Sequence, residues 1–211
     1  MSEALVAVWA ALAARAEAQV AATAAAYSAG AVSRTSFVES AAASVYAANV
    51  AATSYADTAV AAWQLATVGL PSGALGLLPP REEQERLVRA FATLSAHGQA
   101  MARVQTRAAR VAHSEPLQRG HRAYLEALRA RGVEQWRRVV RPDACDRCAP
   151  LAGTIHPTEV DFTDHPGCRC SLAPVASESW ADRQRERQVQ LRRTWNTSAG
   201  QVRFSSGISI R

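Results

Sequence analysis

The chain has 211 residues, 48% hydrophobic and 6% aromatic, with a formal net charge of +6. That length suffices to bury a core in one or two domains, and abundant alanine with few aromatics predicts helices packed closely through small side chains. Lysine is absent, so all 24 basic residues are arginine, and Arg15, Glu17 and Gln19 interrupt the best candidate for a membrane span. Residues 1–30 also lack a basic region ahead of an apolar core, so no secretory leader is expected and the cysteines are expected to meet a reducing cytosol.

Leu5, Val8, Trp9, Leu12, Ala16, Val20 and Tyr27 recur at intervals of three and four, which predicts an amphipathic helix ended by Gly30. Ser36 and Glu39 form a Ser-x-x-Glu capping box for a second helix, with an apolar stripe through Phe37, Ala41, Val45, Ala48, Ala52, Tyr55, Ala59, Trp63 and Ala66. The two helices should form an antiparallel hairpin. Pro71, Pro79 and Pro80, with the intervening glycines, exclude a continuing helix and mark a linker over 69–80.

Pro80 suits the first turn of a third helix, with Glu82, Glu83 and Glu85 near its positive end and a break at His97-Gly98. Met101, Val104, Ala108 and Val111 continue a helical pattern that is expected to stop near Ser114-Glu115-Pro116, and another follows through Tyr124 and Leu128 to Gly132. His97, His113 and His121 stand alone on these helices and read as surface or packing residues. Val133 to Val140 reads as a strand, Ile155 and Phe162 are expected to seal a small core, and Leu172 to Val175 reads as a closing strand. Glu178 to Trp195 reads as an Arg-rich helix, and Asn196 to Arg211 as a loose tail.

All four cysteines fall in Cys145-Asp-Arg-Cys148 and His165-Pro-Gly-Cys168-Arg-Cys170. A Cys-x-x-Cys turn lets two sulfurs converge on one ion, and any two of His165, Cys168 and Cys170 can complete a tetrahedron. Thiolate with imidazole points to zinc rather than magnesium or calcium. The metal candidates are therefore four of the five residues Cys145, Cys148, His165, Cys168 and Cys170; a pair of disulfides or simply buried thiols are the alternatives.

The same window, from Asp143-Ala-Cys145-Asp-Arg-Cys148-Ala-Pro-Leu151-Ala-Gly153 to His165-Pro166-Gly-Cys168-Arg169-Cys170-Ser-Leu172-Ala-Pro174-Val175, resembles the C-terminal signature of the phage Mu F-like minor head proteins, the SPP1 gp7-type head morphogenesis family. The resemblance covers about a fifth of the chain, roughly residues 132–175, and no motif of residues 1–130 shares in it. It implies a phage minor head protein, made in the bacterial host cytoplasm and packaged inside the capsid beside the portal. The implied roles are head morphogenesis and DNA packaging or ejection, with the portal protein as partner and the major capsid or scaffold protein as further candidates.

Charge is uneven along the chain. Residues 1–102 hold five arginines against seven acids, residues 103–147 eleven against five, and residues 176–211 seven against three. Arginine segments flanking the Cys/His window suit a polyanion, so non-specific binding of double-stranded DNA is expected, with Arg183, Arg185, Arg187, Arg192 and Arg193 as candidate nucleic-acid or partner contacts. A solvated helix surface in an arginine-biased proteome fits the same composition.

Enzyme signatures are missing. There is no Gly-x-Ser-x-Gly, P-loop, Gly-x-Gly-x-x-Gly or His-Glu-x-x-His, and Glu159, Asp161 and Asp164 lie near the cysteines without a framing motif. Thioredoxin-like chemistry would need a strand and helix alternation that the chain lacks. No catalytic residue is assigned.

The expected fold is mainly α. A helical hairpin over 1–68 and the linker over 69–80 lead to a helical region over 81–131, a small β and zinc-knuckle module over 132–175, and an Arg-rich helix with flexible tail over 176–211. The functional alternatives to a minor head protein are a zinc-dependent nucleic-acid-binding protein and a hydrolase or transferase with an unrecognised site.

Overall fold

The computed structural model describes residues 3–69, 71–96, 100–163, 165 and 170–205, the side chains of 192 and 195–205 excepted. The chain is mainly helical with a small antiparallel sheet near its C-terminal end, in the order α1 (Glu3–Ser28), α2 (Arg34–Val68), α3 (Glu82–Leu94), α4 (Met101–Ala130), β1 (Gln135–Val139), β2 (Ile155–Pro157), β3 (Ser171–Val175) and α5 (Glu178–Ser205).

Helices α1 and α2 form the expected antiparallel hairpin: Tyr27 stacks on Phe37 at its closed end, and the Trp9 indole donates to the carbonyl of Ala52 at 3.2 Å further along. By length and composition α1 could cross a membrane, its mean hydropathy reaching 1.3, so the expectation that its charges rule this out is too strict. In this fold its face of Leu5, Trp9, Ala13, Ala16, Val20 and Ala24 is buried against α2 and α4. The cap of α2 is Ser33, not Ser36: the Ser33 hydroxyl accepts from the Ser36 N–H at 3.1 Å, starting the helix three residues earlier than the capping box suggested. At the other end Gly69 takes φ 76°, a left-handed conformation in which its N–H reaches back to the Leu65 carbonyl.

The buried face of α2 follows the expected stripe through Phe37, Ala41, Val45, Ala48 and Ala52, and then departs from it. Tyr55 is 50% exposed and Ala66 is also at the surface, while Asn49, Thr53, Asp57 and Gln64 are buried. These polar residues face inward because each meets a partner from a later segment. Asn49 donates to Glu83 of α3, Thr53 accepts from Arg119 of α4, the Asp57 carboxylate accepts from the N–H groups of Gly76 and Leu77, and Gln64 bonds to Gln184 of α5. The linker over 71–80 is thus tied down along α2.

Helix α4 runs unbroken through Pro116, so the expected stop there is overturned. An interior proline costs an isolated helix about 3 kcal/mol. Here Pro116 is buried, and the residues around it pack on α1 and α2 or are held by the pairs of Arg86 with Glu115 and Arg119 with Glu126. Tertiary contact outweighs local preference. One turn later Gly120 allows Trp9 to lie on the helix backbone: a Cβ there would stand 2.5 Å from the indole. The expected break at His97-Gly98 lies outside the described residues, between the end of α3 at Leu94 and the start of α4 at Met101.

The sheet has the order β2-β1-β3, with Trp136 opposite His156 and Pro174, and Arg138 opposite Leu172. Alternation along β1 buries Trp136 and Arg138 and exposes Gln135, Arg137 and Val139. Ile155 pairs with exposed Arg137 and is 55% exposed, so it does not seal the core as expected, whereas Phe162 does, at 8%. One apolar cluster runs from Leu5 and Trp9 through Leu125, Trp136, Phe162 and Leu172 to Trp180. Helix α5 docks by its first turns, where Trp180 stacks on Trp63 with centroids 5.1 Å apart. It continues to Ser205, so residues 196–205 are helical rather than part of a loose tail, and residues 206–211 lie outside the described residues.

His121 is a packing residue, as its isolation suggested. Its ring meets the Trp9 edge at 5.1 Å and Phe162 at 4.3 Å, and neither nitrogen has a hydrogen-bond partner. Burial first, and the nearby Arg138 charge second, push its pKa down to about 3. The unfolded chain, with an ordinary histidine near 6.5, therefore binds more protons between these two values, and stability must fall as pH drops through that window. Chemical denaturation from pH 7 to 4 is expected to show a loss of up to several kcal/mol, which His121→Leu should largely abolish.

Candidate metal centre

The turn that presents the first two cysteines is built locally. After β1, Arg141 pairs with Asp143 and the Ala144 N–H bonds to the Arg141 carbonyl. The N–H groups of Cys148 and Ala149 then both bond to the Cys145 carbonyl, at 2.9 and 3.0 Å, which closes the Cys-x-x-Cys segment into a tight turn. A short 3-10 turn over Ala149–Leu151 follows, and Gly153 at φ 76° lets the chain reverse into β2. The Gly153 N–H bonds to the Arg138 carbonyl and the Arg138 N–H to the Thr154 carbonyl, so the return is stitched to β1.

His165 reaches this turn because the segment before it is anchored to α4 and β1. The Thr158 hydroxyl donates to the Val133 carbonyl at 2.9 Å, the Trp136 indole donates to the Val160 carbonyl at 3.1 Å, and Arg129 pairs with Asp161. Arg138 donates to the Thr163 carbonyl at 2.6 Å, and its guanidinium lies 4.4 Å from the Phe162 ring centre. Phe162 in turn packs on His121 and Trp136. Two residues after Thr163, the His165 imidazole stands with its Nε2 3.0 Å from the Cys145 Sγ and 3.3 Å from the Cys148 Sγ.

Cys145, Cys148 and His165 thus form a group that can hold a metal ion, their ligand atoms all lying within 4.8 Å of one another. Around a tetrahedral ion with bonds of about 2.0 to 2.3 Å, sulfur and nitrogen ligands stand roughly 3.5 to 3.8 Å apart, so small outward shifts accommodate one. Cys148 is buried, His165 is half-buried and Cys145 is exposed, which leaves the group open on one side. The Cys145 thiol is pulled down to about 7, chiefly by the backbone N–H of Cys148, with the Arg147 N–H and the side chains of Cys148 and His165 acting in the same sense. Its thiolate, the form a metal takes, is thereby favoured near neutral pH.

Of the other two candidate ligands, Cys170 is 4% exposed and belongs to the apolar cluster with Cys148 and Leu172, just ahead of β3. Cys168 lies outside the described residues, as does Asp164. Among the described residues the metal-competent group contains no carboxylate: Asp161 pairs with Arg129, and Glu159 is exposed. The residue that sequence reasoning missed is above all Arg138, which is buried on β1 with Trp136. The signal for it was the alternation of β1, which turns both inward.

The candidate contacts on α5 are exposed where described. Arg183 pairs with Glu134 at 3.3 Å and Arg185 with Asp182 at 2.6 Å, while Arg187 and Arg193 are at the surface; the Arg192 side chain lies outside the described residues. Comparison with family models, with curated proteins and with solved structures found no match to this chain.

Because the turn over 145–148 and the segment over 158–165 meet at this group, truncating it should act locally. Cys148→Ala is expected to speed limited proteolysis within residues 130–175 while helicity of the α1 and α2 hairpin persists by circular dichroism. Cleavage of that stretch at the wild-type rate would show that the group does not hold the loops.

Proposed function

We propose that this chain is a bacteriophage minor head protein of the Mu F-like kind, carrying one structural zinc held by Cys145, Cys148, His165 and one of Cys168 and Cys170. The observation that supports this most is the meeting of Cys145, Cys148 and His165 in space, since these residues carry both the soft donor set and much of the sequence resemblance. The donors fit zinc: two thiolates and an imidazole, with further cysteines close in sequence and no carboxylate in the group. Zinc bound there cross-links the turn after β1 to the segment before β3, a connection that strands of three and five residues need. Elemental analysis of protein purified without a polyhistidine tag is expected to give about one zinc per chain. Absence of zinc, or cysteines paired in disulfides, would overturn the assignment.

In this reading the protein works inside the virion near the portal, having assembled in the host cytoplasm, and serves head morphogenesis and DNA packaging or ejection. Its partners are the portal protein, with the major capsid or scaffold protein in reach, and double-stranded DNA bound without sequence preference. It has no catalytic role. Co-purification with the portal protein and detection by mass spectrometry in mature particles are the expected results. A free zinc-dependent nucleic-acid-binding protein is the second reading, favoured by the arginine excess in 103–147. Absence from both portal complexes and virions, together with a preference of roughly 10³-fold or more for one DNA sequence, would establish that reading instead.

A further inference from the structure

Many arginines of this chain have a local use. Arg86 pairs with Glu115, Arg119 with Glu126, Arg129 with Asp161, Arg131 with Asp57, Arg183 with Glu134 and Arg185 with Asp182. Arg103, Arg107 and Arg110 are exposed on the first half of α4 and, among the described residues, make no ion pair or side-chain hydrogen bond; Arg15, Arg122 and Arg187 are likewise exposed and unpaired, but the first three stand together on one helix. At 100° per residue they fall within a sector of about 60°, and at 1.5 Å per residue they span about 10 Å, so three guanidinium groups form one ridge.

The surroundings reinforce the sign of that ridge. The antiparallel stretch of α1 that packs there, through Val20 and Ala24, has no acidic residue from position 18 onward. The closing turns of α3, residues 88–96, have none either, and the opening half of α2, residues 34–48, has only Glu39. The first turn of α4 carries no acid, and its N-cap Ala100 offers no side-chain bond, so the positive end of the helix adds to Arg103. Arginine that merely solubilises a helix is interleaved with acids, as Arg89 is with Glu85 on α3 and Arg185 with Asp182 on α5. Along the ridge itself the charges are of single sign, and Glu17 of α1 is taken up by His113, one turn beyond Arg110.

We propose that the Arg103, Arg107 and Arg110 ridge of α4 lies along the phosphate backbone of duplex DNA and supplies a sequence-independent contact in addition to α5. The proposal rests on the non-specific DNA binding of the function proposed above. The chemistry of the ridge selects a phosphate backbone over an acidic protein surface. The exposed residues beside the arginines are Ala102 and Thr106, with no exposed aromatic or large aliphatic anchor of the kind a protein interface is built around. Phosphate contacts need no such anchor, and guanidinium groups displace condensed counterions wherever the duplex presents its evenly spaced charges.

The test is binding of the full chain to a fluorescent duplex of random sequence, about 30 base pairs long, across about 50 to 200 mM salt. The wild-type chain is compared with Arg103→Gln/Arg107→Gln/Arg110→Gln and with Arg122→Gln, an exposed arginine about 100° away around the same helix. The triple variant is expected to lower the slope of log affinity against log salt by about two to three and to lose at least about tenfold in affinity at the lowest salt. Arg122→Gln should change the slope by less than about one. Should the triple variant lose helicity, each single substitution on the ridge is expected to remove about one from the slope. A triple variant with wild-type slope and affinity overturns the ridge while leaving DNA binding in place. A wild-type chain that binds no duplex overturns the DNA contact of the proposed function as well, which separates the two failures.

Discussion

The carboxylate of Asp57 in α2 is the point through which the linker, the end of α4 and the root of α5 are placed. It is almost fully buried, and so is its partner Arg131 at the end of α4, the two groups standing 3.5 Å apart. One oxygen meets Arg131, while the other accepts from the N–H groups of Gly76 and Leu77 in the linker. Arg131 also donates to the Gly73 carbonyl, and its own carbonyl accepts from the Trp180 indole and the Gln184 amide of α5. A buried pair of this kind gains little over apolar packing, but loss of one partner strands a charge at a cost of about 3 to 5 kcal/mol. The pair therefore specifies geometry: linker, end of α4, start of the sheet module and root of α5 all refer to one carboxylate.

That arrangement explains which parts of the fold were legible in the sequence. Helices α1 and α3, both ends of α4, strands β1 and β3 and the start of α5 are set by periodicity and by glycine and proline punctuation, which are local. The inward turn of Asn49, Thr53, Asp57 and Gln64 was not legible, because a polar residue on an alanine-rich helix is buried only if its partner exists, and those partners are 8 to 120 residues away. The same holds for Pro116, whose local cost is plain and whose compensating contacts come from α1 and α2. Ser33 caps the helix in place of Ser36, and Arg34, in the first turn, bonds to the carbonyls of Ala92 and Ser95, distant partners that the local motif does not show.

The metal-competent group was readable to the level of residue type, since a Cys-x-x-Cys turn followed by a histidine states its chemistry in order. What the sequence could not state is how His165 is delivered. Delivery depends on Phe162, which packs against the His121 ring and the Arg138 guanidinium, and on Thr158 and Trp136 bonding to backbone carbonyls across the module. Arg138 illustrates the limit: within a run of arginines it reads as surface charge, yet the pleat of β1 turns it inward against Phe162, while its neighbour Arg137 stays outside.

A three-stranded sheet with strands of three to five residues cannot bury enough surface to stand alone. This one solves the problem twice. On its inner face Trp136 and Leu172 join the cluster that includes Leu125 and Leu128 of α4 and Trp9 of α1, which fixes the module to the helical body. At its open end exposed Cys145 and half-buried His165 meet Cys148, which itself belongs to that cluster. Hydrophobic burial thus sets where the module sits, and the soft-donor group sets the shape of its tip. Because Phe162 belongs to the first and lies three residues from His165 in the second, the tip is held in a fixed relation to the helical body.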